Sequence, residues 1–226
     1  MGGGDADFNH RIARGRASLK SFRFIRRATF VILSAMNSRP VSSQERAARQ
    51  GQSGLVVWFT GLSGAGKTTL STALERKLFD QGHLAYLLDG DILRTGLCRD
   101  LGFSAKDRRE NVRRAGEVAR VLADAGFIVL AAFISPFRQE RDAIRAALPS
   151  GKFIEVFVNA PLATCEQRDV KGLYRKARAQ QLADFTGISS PYESPLTPEL
   201  ELRTEQDNVN VCLEQLCAIV ETHLNK

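Results

Sequence analysis

This sequence predicts an α/β fold in which a parallel sheet carries helices on both faces, and three observations predict it. Apolar runs of strand length, without the polar alternation of a half-exposed strand, recur between segments whose apolar residues fall at helical spacing. Such runs belong to parallel strands buried on both sides. The first, Leu55-Val56-Val57-Trp58-Phe59-Thr60, leads straight into the glycine-rich stretch Gly61-Leu62-Ser63-Gly64-Ala65-Gly66-Lys67-Thr68-Thr69 and then into a helical pattern. The second stops abruptly at Asp89-Gly90-Asp91, which puts carboxylates beyond the carboxyl end of a strand, where open α/β sheets bind their ligands.

In chain order, residues 55–60 form the first strand. The helix after the glycine-rich loop rests on Leu70, Ala73, Leu74, Lys77 and Leu78 and is closed by Gly82. Residues 84–88 make the second strand. Ser104-Ala105-Lys106-Asp107 has the form of a helix-starting capping box, and Val112, Ala115, Val118, Ala119, Leu122 and Ala125 keep one face apolar until Gly126 stops it. Residues 127–134 and 154–158 are the third and fourth strands, and a helix beginning near Pro161 and Leu162 runs through Cys165 and Arg168. A short fifth strand fits residues 200–204. The last helix starts at Asp207 or Asn208 and uses Val211, Leu213, Leu216, Ile219, Val220 and Leu224.

Residues 169–199 break this rhythm: Lys171, Arg175, Lys176 and Arg178 precede Gly187, Ser189, Ser190, Pro191, Pro195 and Pro198. A loop this long inside a compact domain is usually functional or disordered. A basic cluster ahead of a proline-rich stretch suits a mobile lid that closes over phosphates.

The glycine-rich loop fills every fixed position of Gly-x-x-x-x-Gly-Lys-[Ser/Thr], the phosphate-binding loop of nucleoside triphosphate sites. Glycines let backbone N–H groups turn inward onto phosphate oxygens, Lys67 adds a point charge at the β/γ-phosphates, and the Thr68 hydroxyl can ligate Mg²⁺. No Asn-Lys-x-Asp motif of the GTPase kind is present, and 226 residues leave no room for a second nucleotide domain, so a small-molecule kinase on the P-loop kinase fold is expected. Phosphoryl transfer asks the protein for Mg²⁺, positive charge around the moving group and an oriented acceptor hydroxyl.

The net charge of +7 does not indicate nucleic-acid binding by the domain. Residues 1–50 carry 10 Lys and Arg against 3 Asp and Glu, leaving 22 against 22 in residues 51–226. The division expected is a basic, disordered extension over residues 1–39 and a kinase domain over residues 40–226, with the lid at about 169–199. Residues 8–44 lack acids but hold Arg11, Arg14, Arg16, Lys20, Arg23, Arg26 and Arg27, a composition shared by organelle transit peptides and by disordered extensions; translation from Met36 is a third reading. The apolar run at 28–35 is too short to span a bilayer, and Ala6 stands where a myristoylation signal after Gly2 wants Ser or Thr. Cys98, Cys165, Cys212 and Cys217 show no metal-site spacing and fit reduced thiols in a cytoplasmic protein.

Separated blocks carry a closer resemblance. The stretch from Trp58 through Thr69, Asp89-Gly90-Asp91 with Arg94, Leu101-Gly102-Phe103-Ser104, Asp107-Arg108-Arg109-Glu110-Asn111-Val112-Arg113-Arg114, Phe133-Ile134-Ser135-Pro136-Phe137-Arg138 and Lys171-Gly172-Leu173-Tyr174 occur in that order. With Phe185-Thr186-Gly187-Ile188 and Ser190-Pro191-Tyr192-Glu193, they make residues 40–224 resemble the stand-alone adenylylsulfate kinases. The resemblance implies ATP-dependent phosphorylation of the 3′-hydroxyl of adenosine 5′-phosphosulfate (APS), with Mg²⁺, in a cytoplasmic homodimer. It implies catalytic roles for Lys67, Asp89, Asp91 and Ser135, ATP contacts from residues 61–69 and Arg168, and a metal shell from Thr68 and Asp89. Acceptor contacts fall on Asp91, Arg94, Phe103, Arg108, Asn111, Ile134, Ser135, Lys171, Gly172, Leu173 and Phe185, with Phe103 and Phe185 on either side of the acceptor's adenine.

The residues themselves agree in outline. A phosphosulfate is strongly anionic, and the segment from Arg94 to Arg114 offers arginines beside an acidic strand tip; Arg108 and Asn111 share a helix face. Asp89 and Asp91 point to one side if both lie in extended chain; Asp91 is assigned to the acceptor hydroxyl and Asp89 to the metal, with helix capping as the competing role for either. In some family members the serine matching Ser135 is taken as a phosphoserine intermediate, but in-line transfer needs none, and no histidine lies beside it in sequence. A kinase for another small alcohol and a nucleotide-binding module without catalysis are the rival readings.

Overall fold

The computed structural model describes residues 39–224. The chain divides into two units, residues 1–42 and 43–226, and the architecture below is that of the second. The expectations for the basic extension fall almost wholly outside the described residues.

The strands are β1 (Leu55–Thr60), β2 (Ala85–Asp89), β3 (Ile128–Ala132), β4 (Phe153–Asn159) and β5 (Leu200–Arg203). Helix α1 (Ser43–Gln50) precedes β1 and α2 (Lys67–Asp80) follows it; α3 (Gly90–Thr95) and α4 (Ala105–Asp124) connect β2 to β3; α5 (Arg138–Ala146) connects β3 to β4. Between β4 and β5 lie α6 (Leu162–Arg168) and α7 (Leu173–Arg178), and α8 (Val209–Leu224) closes the domain. The strands form one parallel sheet in the order β2-β3-β1-β4-β5. Every carboxyl end therefore opens on the same edge.

The central strand shows why the sheet is covered twice. All six residues of β1 are buried, and successive side chains leave to opposite faces. Leu55, Val57 and Phe59 pack with Leu70, Leu74 and Leu78 of α2 and Leu216 and Val220 of α8. Val56 and Trp58 pack with Val112, Ala115 and Ala119 of α4 and Ile144 of α5. Trp58 lies stacked on Phe133 at 5.1 Å between ring centres. Close approach of α4 to α5 uses Gly116, where a Cβ would sit 2.6 Å from Ile144 Cγ1.

Local signals set the helix ends. Ser104 Oγ accepts from the Asp107 amide at 3.1 Å to start α4, and Asn208 Oδ1 accepts from the amides of Asn210 and Val211 to start α8. Four helices, α1, α3, α5 and α7, add to the expected elements. One of them corrects the geometry expected at the acidic tip: Asp89 ends β2, but Asp91 stands in the first turn of α3, so the two carboxylates do not share an extended segment.

The lid segment is more firmly held than its composition implied. Residues 173–178 are helical, and Tyr174, Ala177 and Phe185 are buried in the core shared by α2 and α8. Its return arm is fastened where the Glu193 amide donates to the Pro136 carbonyl at 2.8 Å.

Candidate active site

The loop between β1 and α2 has the geometry of a phosphate cradle. Gly61 takes φ 152°, and a Cβ there would lie 2.4 Å from the Val158 carbonyl oxygen; Gly66, at φ 106°, turns the chain into α2. The amino end of a 14-residue helix thus faces the loop, an arrangement that attracts anions. Lys67 Nζ donates to the Gly61 and Leu62 carbonyls at 3.0 and 2.8 Å, folded back onto its own loop. Burial pushes its pKa down to about 8; Lys171 pushes the same way, while Cys165, Asp89 and Asp91 oppose. A cationic group held below its usual range in this manner fits a partner of high negative charge, and the triphosphate of ATP meets that requirement.

Thr68 opens α2 and donates through Oγ1 to Asp89 Oδ2 at 3.0 Å. The two hard oxygens, one in the first turn of α2 and one at the end of β2, fit a Mg²⁺ ion completed by phosphate oxygens and water. Asp89 also caps α3, accepting from the Asp91 amide at 2.8 Å through Oδ1, so the capping role falls on the same carboxylate that meets Thr68, not on Asp91. Asp91 projects into solvent, 69% exposed, and is ion-paired with Lys171 of the lid.

Arginines surround the acceptor side. Arg94 donates to the Gly102 carbonyl at 3.0 Å and lies over the Phe103 ring at 4.4 Å. Arg108 donates to the Phe103 carbonyl at 2.9 Å, the Thr186 hydroxyl at 2.6 Å and the Asp184 carbonyl at 2.5 Å. Burial, then the neighbouring Arg94, lowers its pKa. Neither arginine forms an ion pair among the described residues, which leaves their charge for a ligand. On the same face of α4, Asn111 is 5% exposed and its Nδ2 has no partner. A buried donor left unpaired costs about 1–3 kcal/mol, and an anionic ligand would satisfy it.

Not every expected residue is presented. Phe103 stands 63% exposed, but Phe185 is 7% exposed and set edge-on against Tyr174 at 5.0 Å, so the two rings do not form an open slot. Arg108 nonetheless ties together the segments that carry them. Lys171 is exposed at the start of the lid, with Gly172 and Leu173 partly covered behind it. Ile134 is partly buried, its carbonyl accepting from Thr60 Oγ1 at 2.9 Å.

Ser135 departs most from its assigned role: it is 2% exposed, and its Oγ accepts from Trp58 Nε1 at 3.0 Å. So enclosed a hydroxyl has no open path to a phosphoryl donor. Arg168 lies against the loop rather than free above a base, donating to the Gly64 and Thr204 carbonyls at 3.2 and 2.7 Å. Thr204, at the end of β5, completes that brace through Oγ1 to the Ala65 carbonyl at 2.8 Å. Tyr174 braces the other side, its hydroxyl donating to the Ser63 carbonyl at 2.9 Å. Sequence reasoning missed the part played by Thr204 and Tyr174, whose only signal is proximity in the fold.

Residues 53–203 match the family model described as adenylylsulphate kinase. The chain belongs to the adenylylsulfate kinase family. It is 56% identical over 187 residues to an adenylyl-sulfate kinase of Shewanella sp. strain W3-18-1, covering 81% of this chain and 91% of the relative. The corresponding enzyme of Shewanella sp. strain MR-7 is 58% identical over 183 residues, covering 79% and 89%. Among solved structures, an APS kinase of Mycobacterium tuberculosis in complex with AMPPNP and APS superposes with TM-score 0.71 at 46% identity, over 75% of this chain and 99% of that one. A hexameric APS kinase from Thiobacillus denitrificans gives TM-score 0.57 at 34% identity, over 77% and 31%. Adenylylsulfate kinases thus resemble this chain in both sequence and fold.

Proposed function

We infer that this family member transfers the γ-phosphoryl group of ATP to the 3′-hydroxyl of APS, giving ADP and 3′-phosphoadenosine 5′-phosphosulfate. The observation that carries the acceptor assignment is two uncompensated charges and one unpartnered donor: Arg94 and Arg108, hydrogen-bonded but without ion pairs among the described residues, and the buried Nδ2 of Asn111. A doubly anionic nucleotide answers all three, whereas a neutral sugar would leave two guanidinium groups uncompensated.

In this reading residues 61–69 cradle the triphosphate. Lys67 leaves the carbonyls it now contacts for the β/γ-phosphates, and Thr68 and Asp89 would hold Mg²⁺, which would supply charge neutralisation at the transferring group. Asp91 exchanges its Lys171 partner for the acceptor's 3′-hydroxyl, orienting it and accepting its proton as the O–P bond forms. Lys171, released by that exchange, turns to the phosphate, so lid and acceptor bind in concert. Phe103 stacks on the acceptor's adenine, with Phe185 as the facing ring once the segment held by Arg108 lets go. Arg168 stiffens the cradle and offers the face of its guanidinium to the ATP base. Ser135 shapes the acceptor wall and takes no covalent part.

The chain is further assigned to the cytoplasm as a homodimer. The four free cysteines are in keeping with a reducing compartment, and the dimer rests on the family resemblance alone. Light scattering on the purified chain tests the dimer. The reaction is tested by incubating γ-labelled ATP and Mg²⁺ with APS, AMP, nucleosides and sugars in parallel. Label confined to 3′-phosphoadenosine 5′-phosphosulfate is expected; transfer to another acceptor would replace this reading with the rival kinase, and no transfer by folded protein with the inactive module.

A further inference from the structure

Behind the loop that follows β3, one guanidinium holds three separate pieces of the molecule. Arg141 of α5 is 1% exposed. Its Nε donates to Glu155 Oε1 of β4 at 2.6 Å, its Nη1 to the Ser135 carbonyl at 2.6 Å, and its Nη2 to the Glu193 carbonyl at 2.8 Å. The Ser135 backbone has φ 38°, a left-handed conformation that a residue with a side chain keeps only where its surroundings over-determine it. Trp58 Nε1 on the Ser135 hydroxyl and Thr60 Oγ1, 2.9 Å from the Ile134 carbonyl and 3.4 Å from that of Ser135, supply further restraints.

The same guanidinium reaches the lid. Glu193 is bound to this loop from both sides, its amide donating to the Pro136 carbonyl at 2.8 Å and its Oε2 accepting from the Arg138 amide at 2.9 Å. Tyr192 OH pairs with Thr60 Oγ1 at 3.0 Å. A buried ion pair is a weak stabiliser, because desolvating both charges offsets their attraction, and an apolar pair of equal volume does as well. No apolar pair, however, could aim two further donors at carbonyls in two different loops.

We propose that Arg141 is a positioning residue for the phosphoryl acceptor. It holds Ile134 and Ser135 in their strained turn and fastens the return arm of the lid to that turn, so the acceptor's wall is set before APS arrives. The proposal rests on the reading above that this wall faces APS. Arg141 does not touch substrate and acts only through the two carbonyls it holds.

The test is steady-state kinetics of the full chain with each substrate varied, alongside thermal melting, for Arg141→Lys and for the double variant Arg141→Met with Glu155→Met. Lysine keeps the charge opposite Glu155, but its single nitrogen cannot reach three acceptors. The double variant removes the ion pair whole and leaves Arg145 its other partner, Glu199, so that folding is retained. In either folded variant KM for APS is expected to rise about tenfold or more while KM for ATP stays within about twofold. A folded variant with an unchanged KM for APS, or with both constants rising together as the melting temperature falls, would overturn the proposal and leave Arg141 a structural residue. Wild-type protein that does not phosphorylate APS would overturn the functional reading and this proposal with it; an active wild type with unaffected variants sinks the proposal alone.

Discussion

At the scale of single residues, the site is a set of groups held away from their preferred state until ligands arrive. Lys67, its pKa lowered to about 8 by burial, is partly deprotonated at mildly alkaline pH, and a bound triphosphate favours its charged form. ATP binding above pH 8 therefore takes up a proton, and affinity falls as pH rises through that value. Calorimetry in buffers of different ionisation enthalpy will read the uptake, which should vanish in Lys67→Arg because arginine stays charged throughout. Uptake that persists in that variant would place the titrating group elsewhere. Asn111 gives a second prediction. Replacing it with leucine removes a buried donor with no partner, so stability to denaturant should rise by about 1 kcal/mol while kcat/KM for APS falls at least tenfold, roughly. Loss of stability with unchanged kinetics would show that Asn111 serves the core. Sequence brought Lys67, Thr68, Asp89 and Asp91 forward as candidates because each sits in a short motif. It could not show that Ser135 is enclosed by Trp58 or that Phe185 packs on Tyr174, since those contacts join residues far apart in the chain.

At the scale of elements, the long helices α2, α4 and α8 were legible because burial of one face leaves a period in the apolar residues, and the strands because burial on both faces leaves an unbroken apolar run. Helix α5 left none. Its buried positions are Arg141 and Ile144, so an inward-facing arginine occupies the place where a pattern reading requires an apolar residue. Helices α3 and α7 are six residues each, shorter than the window in which such a period can be detected. Charge and proline content set residues 169–199 apart, but could not show how they are anchored. Helix α7 is coupled to the phosphate loop through Tyr174 OH and the Ser63 carbonyl, while the ring of Tyr174 carries Phe185. Tyr174→Phe keeps the ring contact and deletes the hydrogen bond, worth about 1 kcal/mol. The expected result is a rise of about fivefold in KM for ATP with little change for APS. An equal rise for both substrates would mean that α7 and the phosphate loop are not coupled in this way.

At the scale of the whole molecule, the parallel order β2-β3-β1-β4-β5 gathers the phosphate loop, the Asp89 tip, the Ile134 and Ser135 turn and Thr204 on one edge of the sheet. All of these lie within residues 43–226, and the family match begins at residue 53. The charge of the chain is distributed in the opposite sense. Residues 1–38 hold seven Arg and Lys and two Asp, whereas residues 51–226 are balanced. A long-range field from the amino-terminal segment would be screened beyond about 8 Å at physiological ionic strength, and the function proposed above assigns the acceptor's charge to Arg94 and Arg108 at contact distance. A chain beginning at residue 39 should therefore keep kcat/KM for both substrates within about twofold of the full chain. The full chain alone should be retained on a polyanion matrix and released by added salt. Parallel kinetics and salt elution of the two proteins decide the matter. Equal retention would place the binding surface within the kinase domain despite its balanced charge, and a large loss of activity on truncation would give the amino-terminal segment a part in catalysis that no residue of the site requires.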